Sequence, residues 1–275
     1  VGYLKGYKHL FVVPSEGGTG RQLTSGRFNF ASYRGGQTVW STDSKHVYVS
    51  TNLEDNWEAE GYRQSDIYQI NTKDGSMERL TDRDGPDSNP EPSPNGKLLA
   101  YTGFDNKKMA TQISHIYTMD LQTKKIQEVK TSLDRGVSSI KWSADSKNIF
   151  FTYADKGNTK LGRTSLKGKH GIQAENLGRG YSLAKDGRFV FITTKPELPS
   201  DLAVGKVGTK TAKIITSVNN DILNHKELGN VEEIWYKSSL DGLDIQGWII
   251  KPPGFDSSKK YPLIIKIHGG PFANI

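Results

Sequence analysis

Cysteine is absent from all 275 residues, which excludes a disulfide framework, a thiolate metal site and a cysteine nucleophile. Long apolar runs are missing as well. No stretch approaches the roughly 18 residues a membrane helix requires, so no membrane partner is expected, and the mean hydropathy is −0.61. The opening Val1-Gly2-Tyr3-Leu4-Lys5 is neither a charged leader nor an apolar core segment, and no Met precedes it, so the amino terminus reads as cut or processed. The six His residues are dispersed, with no spacing such as His-Glu-x-x-His, and no metal or cofactor is expected. A net charge of +7 and a pI near 9.3 raise the question of nucleic acid. Lys and Arg are scattered one or two per turn and are not interleaved with stacking aromatics, so the charge reads as a solvated surface and no nucleic-acid partner is expected. The compartment stays open between cytoplasm and periplasm.

What the chain has in quantity is one repeated stretch. Trp142-Ser143-Ala144-Asp145-Ser146-Lys147 leads into the aromatic-rich run Asn148–Tyr153. An Asp followed by Ser or Gly and then Lys is turn chemistry, because the carboxylate can accept from nearby backbone amides. The bulky run behind it suits a pleated, half-buried strand. The same hairpin recurs around Asp43, Asn95 and, more weakly, Asp186, at intervals of 52, 50 and 41 residues. Each copy is followed by an Ile-Tyr-type strand, such as Asp66–Ile70 and His115–Met119, and then by a short strand such as Glu78–Thr81. Four strands every 40–50 residues or so is the spacing of propeller blades. A two-sheet sandwich gives no reason for that fixed order. The expected fold is all-β: an incomplete β-propeller of about four to five four-stranded blades. A half blade falls at 5–24 and full blades at about 37–82, 88–130, 138–176 and 179–217, giving a propeller domain over 1–228. An incomplete propeller leaves open blade edges, which offer a route to self-association.

After residue 218 the composition changes. A connecting turn and short helix are expected over 219–228. Two strands then surround Asp241-Gly242, and Tyr261–Ile267 is a nearly continuous apolar strand running into His268-Gly269-Gly270-Pro271. A run apolar on both faces suits the middle of a covered sheet. A strand ending in His-Gly-Gly is the oxyanion-loop signature of α/β-hydrolases, so residues 229–275 read as the opening strands of such a domain.

Taken together, the blade repeats, the stretches Glu232–Ser239 and Gly247–Phe255, and Tyr261–Asn274 resemble the serine peptidases of the prolyl oligopeptidase family. The likeness is to the branch of acylaminoacyl peptidases and related dipeptidyl peptidases. The resemblance implies a propeller capping and gating a hydrolase domain with a Ser-Asp-His triad, and a short peptide as substrate. It places the oxyanion role on the backbone N–H of Gly270, with His268, Gly269 and Pro271 shaping the loop; His268 is not expected to be the base. It also suggests that Glu54, Glu58 and Glu60, in an acidic loop beside Trp57, bind a peptide's free amino terminus, although composition alone favours a solvated loop. One departure is decisive: no Gly-x-Ser-x-Gly occurs anywhere, so the triad is expected beyond Ile275 and no catalytic residue is assigned in this chain. The 275 residues are expected to be inactive alone, as a fragment of an active parent. The competing expectation is a non-enzymatic propeller that binds a protein or itself, with residues 231–275 as extra strands and those at 232–250 completing the first half blade within one copy or between two.

Overall fold

Strand formation follows the β-branched and aromatic clusters, and the tight turns follow the Asp-Ser/Gly-Lys signals. The computed structural model describes residues 6–30, 38–54, 64–109, 111–209, 211–267 and 269. A two-stranded sheet of β1 (Phe11–Val12) and β2 (Arg21–Gln22) comes first. Four antiparallel four-stranded sheets follow in chain order. Sheet one holds β3 (Val39–Trp40), β4 (His46–Thr51), β5 (Asp66–Asn71) and β6 (Met77–Arg79). Sheet two holds β7 (Asp87–Pro92), β8 (Leu98–Gly103), β9 (His115–Asp120) and β10 (Ile126–Glu128). Sheet three holds β11 (Val137–Trp142), β12 (Asn148–Asp155), β13 (Asn158–Ser165) and β14 (His170–Ala174). Sheet four holds β15 (Leu177–Leu183), β16 (Arg188–Lys195), β17 (Leu198–Lys206) and β18 (Lys213–Ile214). A one-turn helix, α1 (Asn220–Leu223), precedes a hairpin of β19 (Asn230–Lys237) and β20 (Asp244–Lys251). The chain divides into two compact units, Val1–Tyr153 with Leu161–Ile172, and Ala154–Lys160 with Gln173–Ile275.

In the first unit, successive residues of one strand feed different cores. Val47 and Val49 of β4, with Tyr68 and Ile70 of β5, pack with Leu23 and Phe30. Their neighbours Tyr48 and Ile67 pack instead with Leu99, Tyr101 and Met119 of sheet two. Ala100, between those last residues in β8, packs with Ile140, Trp142, Ile149 and Phe151 of sheet three. Because side chains alternate across a strand, each sheet is buried on both faces. A sandwich has one core between two sheets; here three cores lie in series, which is how propeller blades stack. Each large side chain so buried contributes about 1.5–3 kcal/mol.

The repeated turn is held by its own side chains. Asp43 Oδ1 accepts from Ser41 Oγ at 2.6 Å and from Lys45 N at 3.1 Å, while His46 N donates to Ser41 Oγ at 3.0 Å. The same three bonds form around Asn95 with Ser93, Lys97 and Leu98, and around Asp145 with Ser143, Lys147 and Asn148. In the fourth copy Ala184 replaces the serine, leaving Asp186 to accept from Arg188 N at 3.0 Å. Six residues before each of the last three turn residues stands a left-handed residue, Asn89, Ser139 or Gly180, with φ of 53°, 49° and 61°. Each sits where the register of the first strand shifts. This recurrent bulge was not read from the sequence.

One expectation needs correction. Residues 261–267 form no strand: Leu263, Ile264, Ile265 and Ile267 are 73–91% exposed. A run apolar on both faces becomes a strand only beside paired neighbours, and none pairs with it among the described residues. Strands β19 and β20 form one hairpin. They pair with each other, from Asn230↔Lys251 to Lys237↔Asp244.

Candidate functional site

Of the four residues expected to form an oxyanion loop, only Gly269 is among the described residues. His268, Gly270 and Pro271 lie outside the described residues, and Gly269 has open space where a side chain would project. The acidic loop is likewise represented by one member, since Glu58 and Glu60 lie outside the described residues. Glu54 follows β4, its amide donating to Asn52 Oδ1 at 2.9 Å. Its carboxylate lies 3.3 Å from the Arg79 guanidinium, which also reaches buried Asp66 at 2.8 Å. Glu54 is therefore already partly neutralised, and an incoming ammonium group would compete with Arg79 for it.

What the sequence did not disclose is a buried charged cluster beside that loop. The connection from β6 to β7 carries Arg83, whose guanidinium lies 2.8 Å from the Asp87 carboxylate and 3.8 Å from the centre of the Tyr117 ring. Tyr117 in turn stacks on Tyr101, ring centres 5.5 Å apart. The connection is fastened to sheet one: Gln64 Nε2 donates to Arg83 O at 3.0 Å, Gly85 N to Gln64 Oε1 at 2.8 Å, and Asp87 N to Ser65 O at 2.7 Å. Ser50 Oγ and Ser65 Oγ both donate to Asp87 O, at 2.6 and 2.9 Å. Burial pushes Asp87 up to about 6 despite the opposing Arg83 charge. Burial likewise pushes Asp66 up to about 6, with Arg79 opposing it. Burial also raises the phenols of Tyr101 and Tyr117, against the pull of Arg83. The cluster contains carboxylate, guanidinium and phenol but no hydroxyl nucleophile paired with a base. Its direct effect is to staple sheet one to sheet two.

Elsewhere Ser132 Oγ and His170 Nδ1 stand 3.3 Å apart on the surface. No carboxylate pairs with His170 among the described residues, so the orienting third group of a nucleophilic triad is lacking. His115 pairs with Glu128 at 3.5 Å across β9 and β10.

No protein-family model matches the chain. Its sequence is similar to dipeptidyl-peptidase 5 of Porphyromonas gingivalis, 28% identical over 242 residues that cover 84% of this chain and 34% of that protein. It is also similar to dipeptidyl-peptidase 5 of Aspergillus fumigatus, 31% identical over 201 residues that cover 69% of this chain and 27% of that protein. Its backbone resembles an acylaminoacyl peptidase solved in complex with Z-Gly-Gly-Phe-chloromethyl ketone. The TM-score is 0.65 at 21% identity, over 82% of this chain and 33% of that one. The matched region is thus about a quarter to a third of the length of these curated relatives.

Proposed function

We propose, from the premise that this chain belongs to the prolyl oligopeptidase family, that its residues serve a serine peptidase which releases dipeptides from the amino termini of short peptides. The observation that carries this reading is the likeness to dipeptidyl-peptidase 5 across 84% of the chain. In it the four-stranded sheets form part of the propeller that gates access. Residues 229–275 begin the hydrolase domain, and the N–H of Gly270 stabilises the tetrahedral oxyanion of acyl transfer. Glycine suits that post because the backbone must approach the substrate closely. The serine, its base and the orienting acid are supplied by sequence outside these 275 residues, since no Gly-x-Ser-x-Gly stands within them.

Dipeptide release needs recognition of a free α-ammonium, for which Glu58 and Glu60 are the proposed partners; Glu54, held by Arg79, plays the lesser part. The test is the full-length protein assayed on dipeptidyl-nitroanilides with a free or an acetylated amino terminus. Preference for the free form, with KM raised about tenfold or more by Glu58→Gln with Glu60→Gln, is expected. Equal turnover of acetylated substrate would overturn dipeptide release in favour of acylaminoacyl removal. Turnover by the 275-residue chain alone would overturn the assignment of the nucleophile.

A further inference from the structure

We propose that the β12–β13 turn, Ala154–Lys160, is a latch that holds the β19–β20 hairpin in place, with Trp248 seated on Gly157 as its key. The inference concerns one compact unit and does not rest on the peptidase reading.

The hairpin register places Glu233, Trp235, Gln246 and Trp248 on one face, because Glu233 pairs with Trp248 and Trp235 with Gln246. That face meets the turn. A Cβ on Gly157 would stand 2.2 Å from Trp248 Cη2 and 2.3 Å from its Cζ2, so the indole occupies the space that the missing side chain leaves. Gln246 Nε2 donates to Lys156 O at 3.2 Å and to Glu233 Oε1 at 2.8 Å. Trp235 Nε1 donates to the same Glu233 oxygen at 2.7 Å, which orients its ring, and the Lys156 ammonium lies 5.8 Å from the ring centre. One carboxylate therefore aligns both the amide and the indole that address the turn. Gly157 has φ of +69°, so glycine meets two demands there, a left-handed turn and a bare surface for the indole.

Among the described residues no strand other than its partner packs broadly against β19 or β20. Neither face is covered: Ile234 and Tyr236 on one are 39% and 54% exposed, and Trp235 and Trp248 on the other 47% and 45%, so the seat on Gly157 is a narrow contact. An isolated two-stranded hairpin is marginal in water. The order of residues 230–251 then depends on this one small contact, and its loss frees the hairpin as a unit, leaving the neighbouring sheet intact.

Hydrogen exchange of the 275-residue chain, read by mass spectrometry, tests this. Gly157→Asn keeps a residue that tolerates positive φ while filling the seat of the indole, and Trp248→Ala removes the key. Both should lower protection of the β19–β20 amides by about tenfold or more, with protection in β15–β18 unchanged. Gly208→Asn, at a left-handed glycine of φ +85° with open space around it, should change nothing. Unchanged hairpin protection in both latch variants overturns the proposal. So does an equal loss of protection in the hairpin and in β15–β18, which marks general destabilisation.

Discussion

The buried Arg83–Asp87 pair sets a pH dependence whose sign runs against the usual carboxylate pattern. Asp87 stands at about 6 in the folded chain and at 3.8 when unperturbed. Because the folded value is the higher one, the proton stabilises the fold. That contribution is complete below pH 3.8 and is lost as the pH rises through about 6. A difference of roughly two pK units corresponds to at most about 3 kcal/mol. Asp66 acts in the same direction. Stability of the wild-type chain should therefore increase as the pH falls from about 7.5 to 5, by about 1–3 kcal/mol. Arg83→Leu is the decisive perturbation. It removes the guanidinium 2.8 Å from the carboxylate and leaves Asp87 buried and unpaired. The expected cost is about 3–5 kcal/mol near neutral pH. Much of that cost should vanish near pH 5, because the unpaired acid takes up a proton even more readily. Asp87→Asn in the Arg83→Leu background should restore stability at neutral pH. Urea unfolding followed by far-UV circular dichroism across this pH range reads the wild-type chain and both variants. A cost of Arg83→Leu that is equal at both ends of the range, or a wild-type chain that weakens on acidification to pH 5, refutes the reasoning.

Two further outcomes follow from the repeats. Ser44 and Ser146 occupy the same turn position with φ of 60° and 59°, but only Ser146 Oγ also accepts a hydrogen bond, from Asn95 N at 3.1 Å. Ser44→Gly should raise stability by about 0.5 kcal/mol, whereas Ser146→Gly should give no gain; equal gains in urea titrations would show that the inter-turn bond contributes nothing. Gly162 and Gly205 lie on the third strands of sheets three and four, where a Cβ would stand 2.6 Å from the Phe151 ring and 2.4 Å from the Phe189 ring. Gly162→Ala and Gly205→Ala should each cost about 1–3 kcal/mol, and Phe151→Leu should relieve the first in a double-mutant cycle; purely additive effects would mean the ring is not the obstacle.

The all-β propeller character was legible because its signal is local. The bonds that shape each repeated turn join residues two to five positions apart, as from Ser93 to Asn95, Lys97 to Asn95 and Leu98 to Ser93. Any sequence window that contains the turn therefore contains its cause. The bulge residues were in plain sight, but Asn89, Ser139 and Gly180 share only the positive φ they adopt, which no hydrophobic pattern reports. The charged cluster was hidden for a different reason. Asp66, Arg83, Asp87, Tyr101 and Tyr117 span 52 positions and meet only once sheet one stacks on sheet two. The opposite error occurred at Leu263–Ile267, where apolar composition suggested a covered strand. Pairing is a property of neighbours, and composition does not supply them.

Within the first unit the two ends of the blades obey different rules, and this bears on where recognition belongs. At one end lie the turns around Asp43, Asn95 and Asp145, whose polar atoms are satisfied by the turns themselves and, at Asn95, by the adjacent turn. The serine, the Asp or Asn and the Lys recur in all three turns, and Thr42, Pro94 and Ala144, which vary, make none of the bonds that shape them. At the other end sheets one and two carry longer connections between their second and third strands, and the chemistry differs between them. Equivalent strand positions hold Asp66 with Arg79 in sheet one and His115 with Glu128 in sheet two, and the linker between them brings Arg83 to Asp87. A surface that distinguishes one ligand from another needs side chains free to differ, placed on a scaffold that does not move. The uniform turns and serial cores supply the scaffold, and the stapled linker fixes the base of the connection that begins at Glu54. Glu54, where the acidic loop starts, stands at that variable end, its carboxylate 3.3 Å from the Arg79 guanidinium that also holds Asp66.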